Sequence, residues 1–185
     1  DYHHTLINMM KAGIVYSNYV NTVSPTYARE IMTLEGSKGL DRTLWVHGNK
    51  VAGILNGIDC EVWNPTTDPF VPVKYDVRSI GKKAQNTTAL QKMLGLRQEK
   101  QPVVCCISRL VEQKGLHLIR HAIQRTLARG GQFVLLGYSP EPSINEEFWQ
   151  MHLASRKNGN LHVELKHNEE LAHLLYAGAD FLLQP

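Results

Sequence analysis

The chain has 185 residues, 43% of them hydrophobic and 20% charged, enough to bury a core in one ordinary domain or in pieces of two. Its net charge of +3, from 20 Lys+Arg against 17 Asp+Glu, is carried by no basic cluster larger than pairs such as Lys82-Lys83, which argues against nucleic acid as a partner. No run reaches the roughly 20 apolar residues of a membrane span, and the opening DYHHTLINMM lacks the pattern of a signal peptide.

In chain order, LINMMKAGIVYSNYV (6–20) carries apolar residues at helical spacing, and VNTVSPTYAREIM (20–32) predicts a short strand running into a helix capped by Ser24, with Pro25 in its first turn. KVAGILNG (50–57) predicts a second short strand. NPTTDPFVPV (64–73), with three prolines in ten residues, is the best candidate for a domain boundary. After a polar stretch, ALQKMLGL (89–96) predicts a helix that ends at Gly95.

From there the pattern is regular. Strands are expected at PVVCCIS (102–108), QFVLLG (132–137), NLHVEL (160–165) and DFLLQP (180–185), with helices at 115–130, 143–155 and 169–179 between them. Continuously apolar strands alternating with amphipathic helices imply a parallel sheet covered on both faces, a Rossmann-like α/β fold. Adjacent Cys105 and Cys106 would point to opposite faces of the first of these strands. With Cys60 they lack metal-ligand spacing, so structural thiols in a non-oxidising compartment are expected.

In such a sheet ligands bind beyond the carboxyl ends of the strands. There the segment SRLVEQKG (108–115) places Arg109 just after a strand and Lys114 against the glycine that opens a helix. Two cations and a helix N-terminus suit a diphosphate, the guanidinium as a planar fork and the ammonium as a compact charge. Spacing alone equally allows Arg109 to pair with Glu112 while Lys114 decorates a helix start. There is no G-x-G-x-x-G and no G-x-x-x-x-G-K-[ST], which lowers dinucleotide oxidoreductases and P-loop NTPases. There is also no D-x-D, so a carboxylate-held divalent metal is not indicated and cations would take its place. His117 and His121 are four apart, but on a helix whose apolar face is Leu116, Ile119 and Ile123, and read as surface residues.

TVSPTYAREI, GILNGIDCEVWNP, SRLVEQKGLHLI, QFVLLG and LAHLLYAGADFLLQP, in this order and spacing, resemble the starch synthases and bacterial glycogen synthases, with the plant and algal soluble starch synthases of classes III and IV nearest and class IV preferred. The resemblance implies a GT-B glycosyltransferase that moves glucose from ADP-glucose to the non-reducing end of an α-1,4-glucan with retention, without a metal or other cofactor, in a plastid. It implies that residues 1–65 are the tail of the N-terminal catalytic domain, 66–76 an interdomain hinge, and 77–185 the first part of the C-terminal nucleotide-sugar-binding domain. The ends of the chain read as those of an internal fragment. The family's K-x-G-G-L donor loop, for which Lys11 is no substitute, and its S-x-F-E-P-C-G segment would lie outside it, so the fragment alone is expected to be inactive.

By the same resemblance Arg109 and Lys114 are the cations that hold the donor diphosphate, and Gln113 lines their site or serves structure. Asn56 reaches the sugar hydroxyls, although Asn56-Gly57 also reads as a turn with Gly57 at positive φ. Gly137 lets the backbone approach the nucleotide or simply ends its strand. Lys166-His167 matches the position of the adenine contact, but histidine stands where the family usually has tyrosine, a smaller face for stacking. Two other readings remain: an inactive glucan-binding scaffold, and a GT-B transferase of the sucrose or trehalose-phosphate type.

Overall fold

The structure, a computed structural model, describes residues 7–185, so Leu6 at the start of the first expected helix lies outside the described residues. The chain divides between Ile58 and Asp59 into two compact units. In the first, α1 (Met9–Tyr16) is capped by Asn8, whose Oδ1 accepts from Lys11 N, and it stops at Ser17, shorter than periodicity suggested. β1 (Val20–Thr22) leads into α2 (Pro25–Glu30), with Ser24 as N-cap accepting from Tyr27 N at 3.1 Å and Pro25 in the first turn. After α3 (Asp41–Val46), which the sequence reading missed, β2 (Val51–Gly53) pairs in parallel with β1. Lys50 Nζ donates to Val15 O and Ser17 O at 2.9 and 2.7 Å, fastening the end of α1 to the start of β2. A Cβ on Gly53 would lie 2.1 Å from Ser24 O, so only glycine lets the end of β2 pass the start of α2.

The second unit begins with an irregular segment and a 3₁₀ turn, Val77–Lys82, started by a capping box between Asp76 and Ser79. It runs into α4 (Lys83–Met93), which starts well before Ala89, where the helix read from the apolar pattern begins. The extra turns are polar, and the register is set by Asn86, a buried amide that accepts from Val73 N and donates to Val73 O, both at 2.9 Å. Residues 66–76, which the resemblance makes an interdomain hinge, lie within the second unit. Asn86 holds Val73, and buried Asp68 contacts His173.

The remaining elements follow the expected alternation: β3 (Val103–Ile107), α5 (Leu116–Ala128), β4 (Gln132–Leu136), α6 (Pro142–Ser155), β5 (Leu161–Glu164), α7 (Glu169–Gly178) and β6 (Phe181–Leu182). The sheet has the order β5-β4-β3-β6 and every pairing is parallel. One face buries Leu90 of α4 and Leu171, Leu174 and Leu175 of α7 against Val103, Cys105 and Val134. The other buries Leu116, Ile119 and Ile123 of α5 and Phe148 of α6 against Cys106, Phe133, Leu135 and Val163. Each of the Leu, Ile, Val and Phe side chains contributes about 1.5–3 kcal/mol of burial free energy. The two cysteines do point to opposite faces, and desolvation pushes the Cys105 thiol up to about 12 and the Cys106 thiol up to about 11. The chain leaves β3 towards β4 on one side and returns beside β3 as β6 on the other, so the order reverses between β3 and β6, where open α/β sheets bind ligands.

A candidate nucleotide-sugar cleft at the strand ends

Beyond the carboxyl ends of β3, β4 and β5 lies a cavity of about 590 Å³, walled by Ser108 and Arg109 after β3, Gly137 and Tyr138 after β4, and Lys166 and His167 after β5. The loops that form it are held against one another by the continued sheet ladder: Ser108 N donates to Leu136 O at 3.1 Å, Leu110 N to Tyr138 O at 2.9 Å, and Gly137 N to Glu164 O at 3.0 Å. A Cβ on Gly137 would lie 2.2 Å from Ser108 O. The glycine is thus required by the neighbouring loop, whatever else approaches it. The β4–α6 loop is locked from the other side, since Asn145 accepts from Ser139 N at 2.9 Å and donates to Ser139 O at 2.7 Å.

Arg109 is exposed and, among the described residues, forms no ion pair with Glu112. Glu112 instead acts on Arg120, whose guanidinium is raised first by its hydrogen bonds to Glu147 and further by the charges of Glu147 and Glu112. Gln113 and Lys114 are also exposed, on the 3₁₀ turn Glu112–Lys114 that links the Arg109 loop to α5, and do not wall the cavity itself. Gly115, at φ 61°, is the N-cap of α5 and offers no side chain to the free N–H groups of the first turn. A Cβ there would lie 3.2 Å from Pro185 Cβ, so the start of α5 sits beside the chain leaving β6, at the point where the strand order reverses.

Lys166 Nζ lies 3.5 Å from Glu164 Oε1 and is 69% exposed, leaving its charge open to solvent. Glu164 also has His162 Nε2 at 3.6 Å from its other oxygen. Burial, followed by the neighbouring His152, holds His162 below its ordinary value despite that carboxylate. Asn168, which follows His167, accepts from Leu171 N at 3.0 Å and so starts α7 at the rim of the cavity.

Asn56 belongs to the first unit, on an exposed irregular stretch after β2. The alternative of a turn with Gly57 at positive φ is not what forms, because Gly57 is not among the glycines in that region. Asp59 does cap the backbone, accepting from Glu61 N and Val62 N. His117 and His121 are exposed, and among the described residues no three His, Cys, Asp or Glu side chains are grouped to hold a metal. No helix among these residues is long and apolar enough to cross a membrane.

Four of the seven expected site residues, Arg109, Gly137, Lys166 and His167, therefore share one cavity. Tyr138 and Asn168 wall it too and were missed. Tyr138 had a usable signal, an aromatic directly after a strand-ending glycine at the ligand edge of the sheet.

Residues 1–46 match the starch synthase catalytic domain family. The chain is 49% identical over 181 residues to a probable chloroplastic/amyloplastic starch synthase 4 of Arabidopsis thaliana, covering 97% of this chain and 17% of that protein. It is 48% identical over 179 residues to glycogen synthase 1 of Nitrosococcus oceani, covering 97% of this chain and 37% of the relative. A solved structure, the catalytic domain of starch synthase IV from Arabidopsis thaliana bound to ADP and acarbose, superposes with a TM-score of 0.91 at 49% identity, covering 95% of this chain and 36% of that one. The chain thus spans well under half the length of these relatives.

Proposed function

We propose that this chain, which belongs to the starch synthase and bacterial glycogen synthase family, is part of a glucosyltransferase that moves glucose from ADP-glucose to the non-reducing end of an α-1,4-glucan with retention. The observation that carries this reading is the likeness, at 49% identity, to a catalytic domain bound to ADP and acarbose, set beside a cavity that collects Arg109, Gly137, Lys166 and His167 at the strand ends.

Each group then has a task. Arg109 is the planar donor to the diphosphate, and Lys114 with the N-terminus of α5 adds positive potential beside it. As the glycosidic bond breaks, negative charge grows on the departing phosphate oxygen, and cations already in place stabilise that charge more than the ground state. Lys166 and His167 take the nucleoside side and Gly137 the floor between them, while Gln113 supports the turn that carries Lys114. Asn56, from the first unit, supplies an amide for sugar hydroxyls. Residues 1–65 act as the tail of the N-terminal domain and 77–185 as the start of the nucleotide-sugar domain, with 66–76, packed on the second unit through Asn86 and His173, as the link between them. A plastid location follows the Arabidopsis relative, and a fluorescent fusion of the full-length protein tests it.

The activity is tested by incorporation of labelled glucose from ADP-glucose into maltooligosaccharide by the full-length protein, with UDP-glucose and a glucose-phosphate acceptor in parallel. Incorporation from ADP-glucose into the glucan supports the transferase. Glucan binding without incorporation would give the inactive scaffold instead, and transfer only to the phosphorylated acceptor would give the sucrose or trehalose-phosphate type.

A further inference from the structure

Tyr138 stands out among the walls of the cavity. The residue is 55% exposed, and among the described residues its side chain has no hydrogen bond and no ring partner. The backbone that presents it is nevertheless fixed on both sides. Tyr138 O accepts from Leu110 N at 2.9 Å, the preceding Gly137 N donates to Glu164 O, and the following Ser139 is held at N and O by the Asn145 amide. An aromatic ring left open to a concave site on a backbone this constrained loses little conformational entropy when a flat ligand settles on it.

The sheet order says where along the ligand that ring lies. Arg109 follows β3, Tyr138 follows β4, and Lys166-His167 follow β5, on successive neighbouring strands. With about 4.8 Å between strands, the cavity runs from a cation at the reversal point to rings one and two strands away. A molecule with an anionic end and a planar aromatic end, joined by about the length of a ribose, matches that layout.

We propose that Tyr138 is the platform on which the nucleobase of the donor stacks, the role that the narrower face of His167 fills only in part. The proposal rests on the reading of this cavity as a nucleotide-sugar site and adds the residue that gives the site its hold on the base. Stacking is the main contribution, so the ring matters and the hydroxyl does not.

Calorimetric titration of the full-length protein with ADP and, separately, with inorganic pyrophosphate, which has no base, tests this. Tyr138→Ala is expected to weaken ADP binding about tenfold or more, Tyr138→Phe to stay within about twofold of the parent, and neither to alter pyrophosphate binding. Arg109→Ala serves as the reference and weakens both ligands. Unchanged ADP binding in Tyr138→Ala overturns the platform while leaving the site reading intact, as does a Tyr138→Phe protein as weak as Tyr138→Ala. A parent protein that binds neither ADP nor pyrophosphate overturns the platform and the site reading together.

Discussion

His173 Nδ1 lies 2.6 Å from Asp68 Oδ2, although the two residues are 105 apart in the chain and their side chains are only 2% and 5% exposed. Trp63 stacks on the imidazole with centroids 3.9 Å apart, and Phe70 meets it edge-on. The pair clamps the proline-rich segment to α7, the helix that starts at the rim of the cleft. Removing one member of such a buried pair strands the other and leaves a void. His173→Ala is therefore expected to lower unfolding free energy by about 3–5 kcal/mol, and Asp68→Asn, which keeps an acceptor oxygen, by less. Urea unfolding of both variants measures this, and a His173→Ala midpoint equal to the parent's would show that the segment is held by other contacts.

Arg109 and Lys114 carry no ion pair among the described residues and bury little surface. Substituting either by alanine should leave the melting temperature near that of the parent while turnover of the full-length protein falls by about 10²–10³. Because Arg109 walls the cavity and Lys114 stands on the adjoining turn, Arg109→Ala should be the more severe. Steady-state kinetics beside thermal melts decides the matter. Early melting with normal turnover would make both residues structural.

Gly137→Ala would drive a methyl group to within 2.2 Å of Ser108 O. The Arg109 loop must move to admit it. A loss of about 1–3 kcal/mol in stability is expected, together with weaker ADP binding, because the displaced loop carries the guanidinium. Gly130→Ala, at positive φ but with open space around its Cβ, is the control: it should cost stability through backbone strain alone and leave ADP binding unchanged.

His162 has a depressed folded value, caused first by burial and then by His152. A depressed group contributes stability above its unfolded value near 6.5, and that contribution is lost as pH falls through the folded value. Acidification from neutrality to below about 6 should therefore weaken the second unit more in the parent than in His162→Gln. Denaturant midpoints at stepped pH give the comparison, and parallel pH profiles would remove His162 as the cause.

The β/α alternation of residues 102–185 was legible because apolar runs, amphipathic spacing and terminal glycines act locally. The local chemistry that starts a helix with Ser24-Pro25 was legible for the same reason. α3 and the first turns of α4 were not. The start of α4 has no side-chain cap, and a long-range amide contact between Asn86 and Val73 holds it in place of an apolar stripe.

The candidate site divides in the same way. The sequence by itself determined a parallel α/β sheet with cations at a strand end, since strand periodicity and the placement of Arg109 and Lys114 depend only on near neighbours. Tertiary structure decided which of the expected residues meet. Arg109, Gly137, Lys166 and His167 wall one cavity because three parallel strands end side by side, while Gln113 and Lys114 remain on the approach to it. It also decided that the proline-rich segment is anchored by Asp68 and His173, and that Tyr138 is left open on a fixed backbone. Hydrogen bonds and burial between residues dozens of positions apart have no periodicity to announce them, and they exist only once the chain has folded.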